Sequence, residues 1–256
     1  MNNHPALHEM NPQNRFSSRA EDYARYRPSY PDAVIDRIIA DLGNPSELVA
    51  ADIGAGTGIS SRLLADRGLK VMAIEPNAAM RQAAQAHPLV EFHNGSAENT
   101  NLPNASVDLI ICFQAFHWFS PEPTLEEFSR ILKPQGRLAL VWHNRDRNDE
   151  FTRQYSLLTQ KASNNDSELR YGTERYLQET TRFEPVRHLV FPDQQALDCQ
   201  SLIGRAMSTS YIPQTGKIHD QFIQDLTKLY QQFSDRHGLV YLQYQTSVYL
   251  TELSNQ

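Results

Sequence analysis

Apolar residues recur along this chain in two periods, and the switches between them outline its elements. Val34, Ile35, Ile38 and Ile39 stand at helical spacing and predict a helix from Asp32 to about Leu42, opened by Pro31-Asp32 and closed by Gly43-Asn44-Pro45. The short apolar run Leu48 to Ile53 reads as a buried strand. The turn Gly54-Ala55-Gly56-Thr57-Gly58 follows it, then a helix from Ile59 to Arg67 that buries Ile59, Leu63 and Leu64. Lys70 to Glu75 is a second strand, and Asn77 caps a helix running through His87, which Pro88 stops. Leu89 to His93 and Ser106 to Phe113 are the third and fourth strands. A helix over 122–132 leads through Lys133-Pro134-Gln135-Gly136 into a fifth strand, Arg137 to His143.

Strands joined by helices of this length imply parallel pairing through right-handed crossovers. The fold class is therefore α/β: a Rossmann-like, doubly wound, mostly parallel sheet whose ligands bind at the carboxyl ends of its strands. Beyond residue 144 helices are expected near 148–162, 173–181, 196–208 and 219–236. Two strand-like runs, Val186 to Phe191 and Val240 to Leu250, are expected to pair and bring the sheet to seven strands, the last antiparallel. On this reading residues 1–256 form a single domain. Residues 15–147 are its ligand-binding core, 148–238 an inserted helical cap and 239–256 the final strand.

Composition removes several classes of partner. Lys and Arg number 24 against 30 Asp and Glu, a formal charge of -6, and no basic cluster with interleaved aromatics offsets it. Nucleic acid is not the expected partner. No apolar run approaches the ~18 residues that cross a bilayer, so no membrane is expected either. Cys112 and Cys199 make neither a zinc site nor a disulfide framework. With no signal peptide they point to a cytoplasmic protein. No His, Cys and carboxylate framework stands at ligand spacing, so no metal is expected. Oligomeric state has no signature in the sequence.

The chemistry centres on the turn Asp52-x-Gly54-x-Gly56-x-Gly58, which ends a strand and opens a helix. Alternating glycines there let a ligand approach bare backbone. A dinucleotide site wants a small residue five positions after the first glycine, and that position is Ile59. Glu75 ends the second strand, where a carboxylate accepts both hydroxyls of an unphosphorylated ribose. Together they indicate a ligand containing adenosine, a feature shared by NAD and S-adenosylmethionine.

These residues resemble the class I S-adenosylmethionine-dependent methyltransferases. The likeness lies in Val49-Ala50-Ala51-Asp52-Ile53-Gly54-Ala55-Gly56-Thr57-Gly58 and Ala73-Ile74-Glu75-Pro76-Asn77-x-x-Met80. Three further stretches are similar to the methyltransferase type 11 branch that contains trans-aconitate methyltransferase-like proteins. They are Phe16-Ser17-x-x-Ala20-x-x-Tyr23-x-x-Tyr26-Arg27-Pro28, Ala115-Phe116-His117-Trp118-Phe119 and Ile131-Leu132-Lys133-Pro134-x-Gly136. The resemblance implies S-adenosylmethionine as cofactor, its methionine part facing Gly54, Ala55, Gly56, Thr57 and Gly58 beside Asp52. It implies Glu75 on the ribose, Pro76 and Met80 flanking the adenine, and Ser96-Ala97-Glu98 at the adenine edge. Many relatives carry Asp where Glu98 stands. Gln114 and Ala115 would lie near the sulfonium, with Arg27 and Tyr23 neutralising the methionine carboxylate.

Methyl transfer from a sulfonium needs positioning and exclusion of water more than further activation. An aromatic wall of Phe116, Trp118, Phe119 and Trp142 would suit a cation. His117, after the fourth strand, is the candidate catalytic group, orienting a small-molecule acceptor or removing its proton. An ionised carboxylate acceptor would need no base. Asn144 and Arg145 follow the fifth strand on the same edge, Arg145 suited to an acidic acceptor, and Tyr211 breaks two cap helices. Two other readings stand beside methyl transfer to an oxygen, nitrogen or carbon centre: a nucleotide-dependent oxidoreductase, and a fold relative that binds S-adenosylmethionine without turnover.

Overall fold

The computed structural model describes residues 26–163, 174–209 and 212–254. Helix α1 (Asp32–Ile39) precedes strand β1 (Val49–Ile53), and α2 (Ile59–Ala65) leads to β2 (Lys70–Ile74). Next come α3 (Ala78–Gln82), β3 (Val90–His93) and β4 (Val107–Phe113). Helix α4 (Pro121–Ile131), β5 (Leu132–Arg145), α5 (Glu150–Ser163) and α6 (Arg175–Glu179) follow, then β6 (Arg187–Leu197), α7 (Cys199–Met207), α8 (Lys217–Phe233) and β7 (Val240–Glu252).

The seven strands lie in the order β3-β2-β1-β4-β5-β7-β6. Strands β1 to β5 pair in parallel, and β7 runs antiparallel to both β5 and β6. This is the seven-stranded sheet expected from the alternation, with the two C-terminal runs paired to each other. Alternate residues of each strand fill opposite faces. Ala51, Ile110, Leu138 and Leu140 pack with Leu125, Phe128 and Ile131 of α4. Ala50, Leu109, Ala139 and Val141 pack with Val34, Ile35 and Ile38 of α1 and Leu64 of α2. The central strands are thus buried on both sides, which is why they read as continuous apolar runs.

Beyond the end of β5, where Arg145 pairs with Tyr244, the β6–β7 ribbon continues to Leu197 and Val240. Phe151 and Tyr155 of α5, Leu202 and Ala206 of α7, and Phe222, Leu226 and Leu229 of α8 pack on that projection in a third core. The cap helices therefore stand at the carboxyl edge, where a ligand would bind. Strand β6 falls between them in sequence yet belongs to the sheet.

Several boundaries differ from expectation: β6 runs on to Leu197, past the expected end at Phe191, and α1 ends at Ile39. Helix α3 stops at Gln82 rather than His87, because Met80 is its single buried side chain and Ala83 to Ala86 have no apolar face to bury. Strand β5 begins at Leu132, with the expected turn absorbed as a register shift opposite Val107 to Leu109 and Gln135 at φ 63°.

Buried Arg137 joins the first helix to the sheet. Its guanidinium donates to the carbonyls of Ile38 (2.8 Å) and Ala40 (2.7 Å) at the end of α1 and to Glu252 Oε1 (3.0 Å) on β7. We expect Arg137→Ala to lower the unfolding free energy in urea by about 3 kcal/mol, since it strands buried acceptors. A loss below about 1 kcal/mol would remove Arg137 from this role.

Candidate functional site

The end of β1 turns sharply because three glycines adopt left-handed backbone, and two of them do so against close neighbours. At Gly54 (φ 72°) a Cβ would stand 2.7 Å from Ala115 Cβ and 3.0 Å from Phe119 Cζ. At Gly58 (φ 74°), which caps α2, a Cβ would stand 2.8 Å from Phe92 Cζ. The Gly54 and Ala55 amides donate to the Ile74 carbonyl at 2.9 and 3.2 Å, tying the turn to the end of β2. Both spacing and dihedral therefore demand glycine, and the segment after β4 lies directly against the turn.

Glu75 closes this cradle from the next strand. It is 8% exposed, and its Oε2 accepts from the Gly56 amide (2.9 Å) while Oε1 accepts from the Asn77 amide (2.8 Å). Burial raises its pKa above the usual carboxylate value, against the pull of those two amides and the Arg81 charge. Each oxygen has a further lone pair, so two hydroxyls still find acceptors. Asn77 Oδ1 caps α3 through the Ala79 and Met80 amides, and buried Met80 reaches to Gly56, its Cε 3.3 Å from where a Cβ would sit. Pro76 lies between them, half-buried. Bare backbone, a buried acid and an apolar thioether thus meet at the ends of β1 and β2.

Asp52 lies behind the turn. Fully buried, its Oδ2 accepts from the hydroxyls of Ser60 (2.7 Å) and Ser61 (2.6 Å), which pins α2 to β1. Its Oδ1 is buried with no hydrogen bond from the described residues, leaving one acceptor over. Burial moves its pKa from 3.8 to about 6, assisted by the Glu75 charge and opposed by the two serines. Thr57 is buried at the turn.

Of the residues expected at the adenine edge, Ala97 is buried and Ser96 Oγ accepts from the Asn99 amide (3.2 Å). Glu98 Oε1 accepts from the Ser120 amide (3.0 Å), so this carboxylate ties the loop to the start of α4. Gln114 ends β4 at φ 56°, a strained backbone for a residue with a side chain. Its amide donates to the His143 carbonyl on β5 (2.7 Å). Ala115 faces Gly54.

Past Ala115 the chain makes one 3-10 turn, Phe116–Trp118, which buries Phe116 and His117. The His117 ring lies 5.2 Å from the half-buried Trp118 ring. Trp142 is 5% exposed and packs edge-on against Phe116 and Tyr249, and Phe119 meets Phe116 edge-on in turn, so three of the four aromatic residues expected in the wall adjoin one another. Arg145 lies over the Tyr155 ring (5.1 Å) and reaches Thr159 Oγ1 (3.4 Å), so α5 holds it; Asn144 pairs opposite Gln245. Tyr23 and Tyr211 lie outside the described residues. Arg27 and Arg205 both act electrostatically on His143, and sequence reasoning assigned neither His143 nor Arg205 to the site. No spacing rule joins His143 to Arg205. Ser60 and Ser61 carried a weak signal, two hydroxyls opening a helix just after a buried acid.

Residues 51–140 match the family model described as a methyltransferase domain. An uncharacterized methyltransferase of Mycobacterium tuberculosis is 39% identical over 132 residues, 51% of this chain and 53% of the relative. An uncharacterized methyltransferase-like protein of Schizosaccharomyces pombe is 35% identical over 133 residues, 51% and 52%. The chain spans about half the length of the curated relatives it matches. Among solved structures, a candidate methyltransferase of an antibiotic-biosynthesis pathway from Anabaena variabilis superposes with TM-score 0.62 and 26% identity, covering 90% of this chain and 98% of that one. The [4+2]-cyclase SpnF also shares the fold, at TM-score 0.54 and 13% identity over 98% of each chain. The fold alone therefore does not specify methyl transfer.

The Asp52 environment yields a test. A carboxyl raised on folding stabilises below its unfolded pKa and loses that contribution as pH climbs through about 6, so ionised Asp52 costs up to about 3 kcal/mol near neutrality. Asp52→Asn keeps an acceptor for the serines and removes the charge. Urea unfolding of the ligand-free protein should show the variant more stable at pH 8, with the advantage shrinking between pH 6 and pH 4. A variant less stable at pH 8 than at pH 4, relative to the parent, contradicts the assignment.

Proposed function

We propose that this chain, residues 51–140 of which match a methyltransferase-domain family model, is a class I S-adenosylmethionine-dependent methyltransferase that moves a methyl group onto a small-molecule acceptor at oxygen, nitrogen or carbon. The observation that carries the reading is the junction of Glu75 with the Gly56 amide, an acid and bare main chain presented to one ligand. When bound, S-adenosylmethionine supplies a methyl group already activated on a sulfonium.

The residues of the chain bind, orient and shield. Gly54 to Gly58 receive the methionine part, with Asp52 behind them offering its spare oxygen. Glu75 accepts the ribose hydroxyls, Pro76 and Met80 flank the adenine, and the loop Ser96-Ala97-Glu98 borders it. Gln114 and Ala115 stand beside the reacting centre. Arg27 and Tyr23 are read as partners of the methionine carboxylate. On the acceptor side His117, with Trp118, Asn144, Arg145 and Tyr211, is read as shaping the pocket. Trp142 supports Phe116 from within the core. Water excluded by this packing would otherwise solvate the cation and weaken positioning. His117 acts on rate through placement of the acceptor, since an acceptor already ionised has no proton to give.

The test is transfer of labelled methyl from S-adenosylmethionine into a small-metabolite pool by the full chain. We expect a labelled small molecule with the parent protein and none with Glu75→Ala. His117→Ala should slow that turnover by about tenfold or more while leaving cofactor affinity unchanged. Absence of labelled product overturns the proposal; full turnover by His117→Ala removes that residue from it.

A further inference from the structure

Helix α7 carries a glycine in its interior, where glycine destabilises a helix relative to alanine, and an aromatic ring accounts for it. A Cβ on Gly204 would stand 2.5 Å from Tyr26 Cζ and 2.6 Å from both Cε1 and Cε2. Near-equal distances to those three carbons set the face of the Tyr26 ring against the glycine. The ring occupies the space that a side chain would take.

Residues 26–30, which carry that ring, are fixed at both ends. At one end the Tyr26 carbonyl accepts from Gln195 Nε2 (3.2 Å) on β6, and Gln195 Oε1 accepts from the Tyr244 hydroxyl (3.4 Å) on β7. At the other end the Tyr30 ring meets Phe113 (4.6 Å) and His143 (5.5 Å) edge-on, near the carboxyl ends of β4 and β5. Tyr244 also stacks on His143 (4.2 Å), which joins the β6–β7 ribbon to the same strand ends. Phe113 leads directly into Gln114 and Ala115, and Ala115 faces Gly54 of the glycine turn. The segment therefore runs from the cap to the wall of the donor cradle.

We infer that Gly204 is a positioning residue for the donor: it seats Tyr26, and the seated segment holds Arg27 at the donor site. The inference rests on the methyltransferase reading, in which Arg27 is a partner of the donor's carboxylate, and gives a cap helix a share in holding that donor. A methyl group at position 204 displaces the Tyr26 ring, the ring draws the Tyr26 carbonyl off Gln195, and the next residue loses its place. Small misplacements of a binding group are costly because its geometry is no longer prepared in advance.

The test is calorimetric titration of the full chain with S-adenosylhomocysteine, as a double-mutant cycle between positions 204 and 26. Gly204→Ala should weaken binding about fivefold or more, although alanine is the better helix former. Tyr26→Ala should cost about as much, since it also empties the seat. Adding Gly204→Ala to Tyr26→Ala, where no ring remains to be displaced, should change affinity by less than about twofold. Deuterium exchange of the ligand-free Gly204→Ala protein should be faster than the parent's over residues 26–30. Gln195→Met removes the donor to the Tyr26 carbonyl at similar side-chain length and should weaken binding about threefold. Equal affinity of parent and Gly204→Ala, an equal loss in the Tyr26→Ala background, or unchanged exchange over residues 26–30 overturns the inference. If Gly204→Ala does not fold, unchanged affinity in Gln195→Met overturns it. Failure of the parent chain to bind S-adenosylhomocysteine defeats the methyltransferase reading instead.

Discussion

The close approach of Gly54 to Ala115 and Phe119 is the constraint on which the site depends. A Cβ at Gly54 would fall 2.7 Å from Ala115, so any other residue there would push the segment after β4 off the turn. With glycine the two segments meet, and the Gly56 amide is left free to donate to Glu75. Strands β1, β2 and β4 thereby contribute adjacent walls to one cradle. The parallel pairing of β1 with both neighbours brings those strand ends together.

The carboxyl edge concentrates groups that are expensive to bury. Asp52 and Glu75 both have pKa values raised by burial, and His143 is held neutral beside two arginines. Asp52 is compensated by Ser60 and Ser61, and Glu75 by two amides, yet Asp52 Oδ1 and His143 Nε2 remain without hydrogen bonds from the described residues. Such incomplete satisfaction at one edge of an otherwise apolar sheet is the pattern of a ligand site. The structural core beneath is ordinary: apolar on both faces, with Arg137 closing the far end.

Much of this was legible in the sequence, and physical reasons separate what was from what was not. Alternation of apolar strands with amphipathic helices is a local signal, and it located all seven strands. The glycine turn and Glu75 were readable because each stands at a strand end, and the structure joins them through the Gly56 amide. Helix α3 was over-extended because alanine-rich residues have helical propensity without a face to bury. Trp142 was read as part of an aromatic wall suited to a cation, and strand alternation sets it edge-on against Phe116 of that wall from within the core. His143 and Asp193 come from two strands far apart in the chain, and only the β6–β7 ribbon beside β5 brings them within 3.7 Å. Pairings of that kind have no local signature.

The central claim is that the turn and Glu75 cradle S-adenosylmethionine rather than a dinucleotide. Thermal unfolding of the full chain with S-adenosylhomocysteine, NAD and NADP tests it most directly. A ligand that binds only the native state at a hundredfold its dissociation constant adds about 2.7 kcal/mol. The account predicts a clear rise in Tm with S-adenosylhomocysteine and none with the other two. An equal or larger rise with NAD, or no response to S-adenosylhomocysteine, would contradict it.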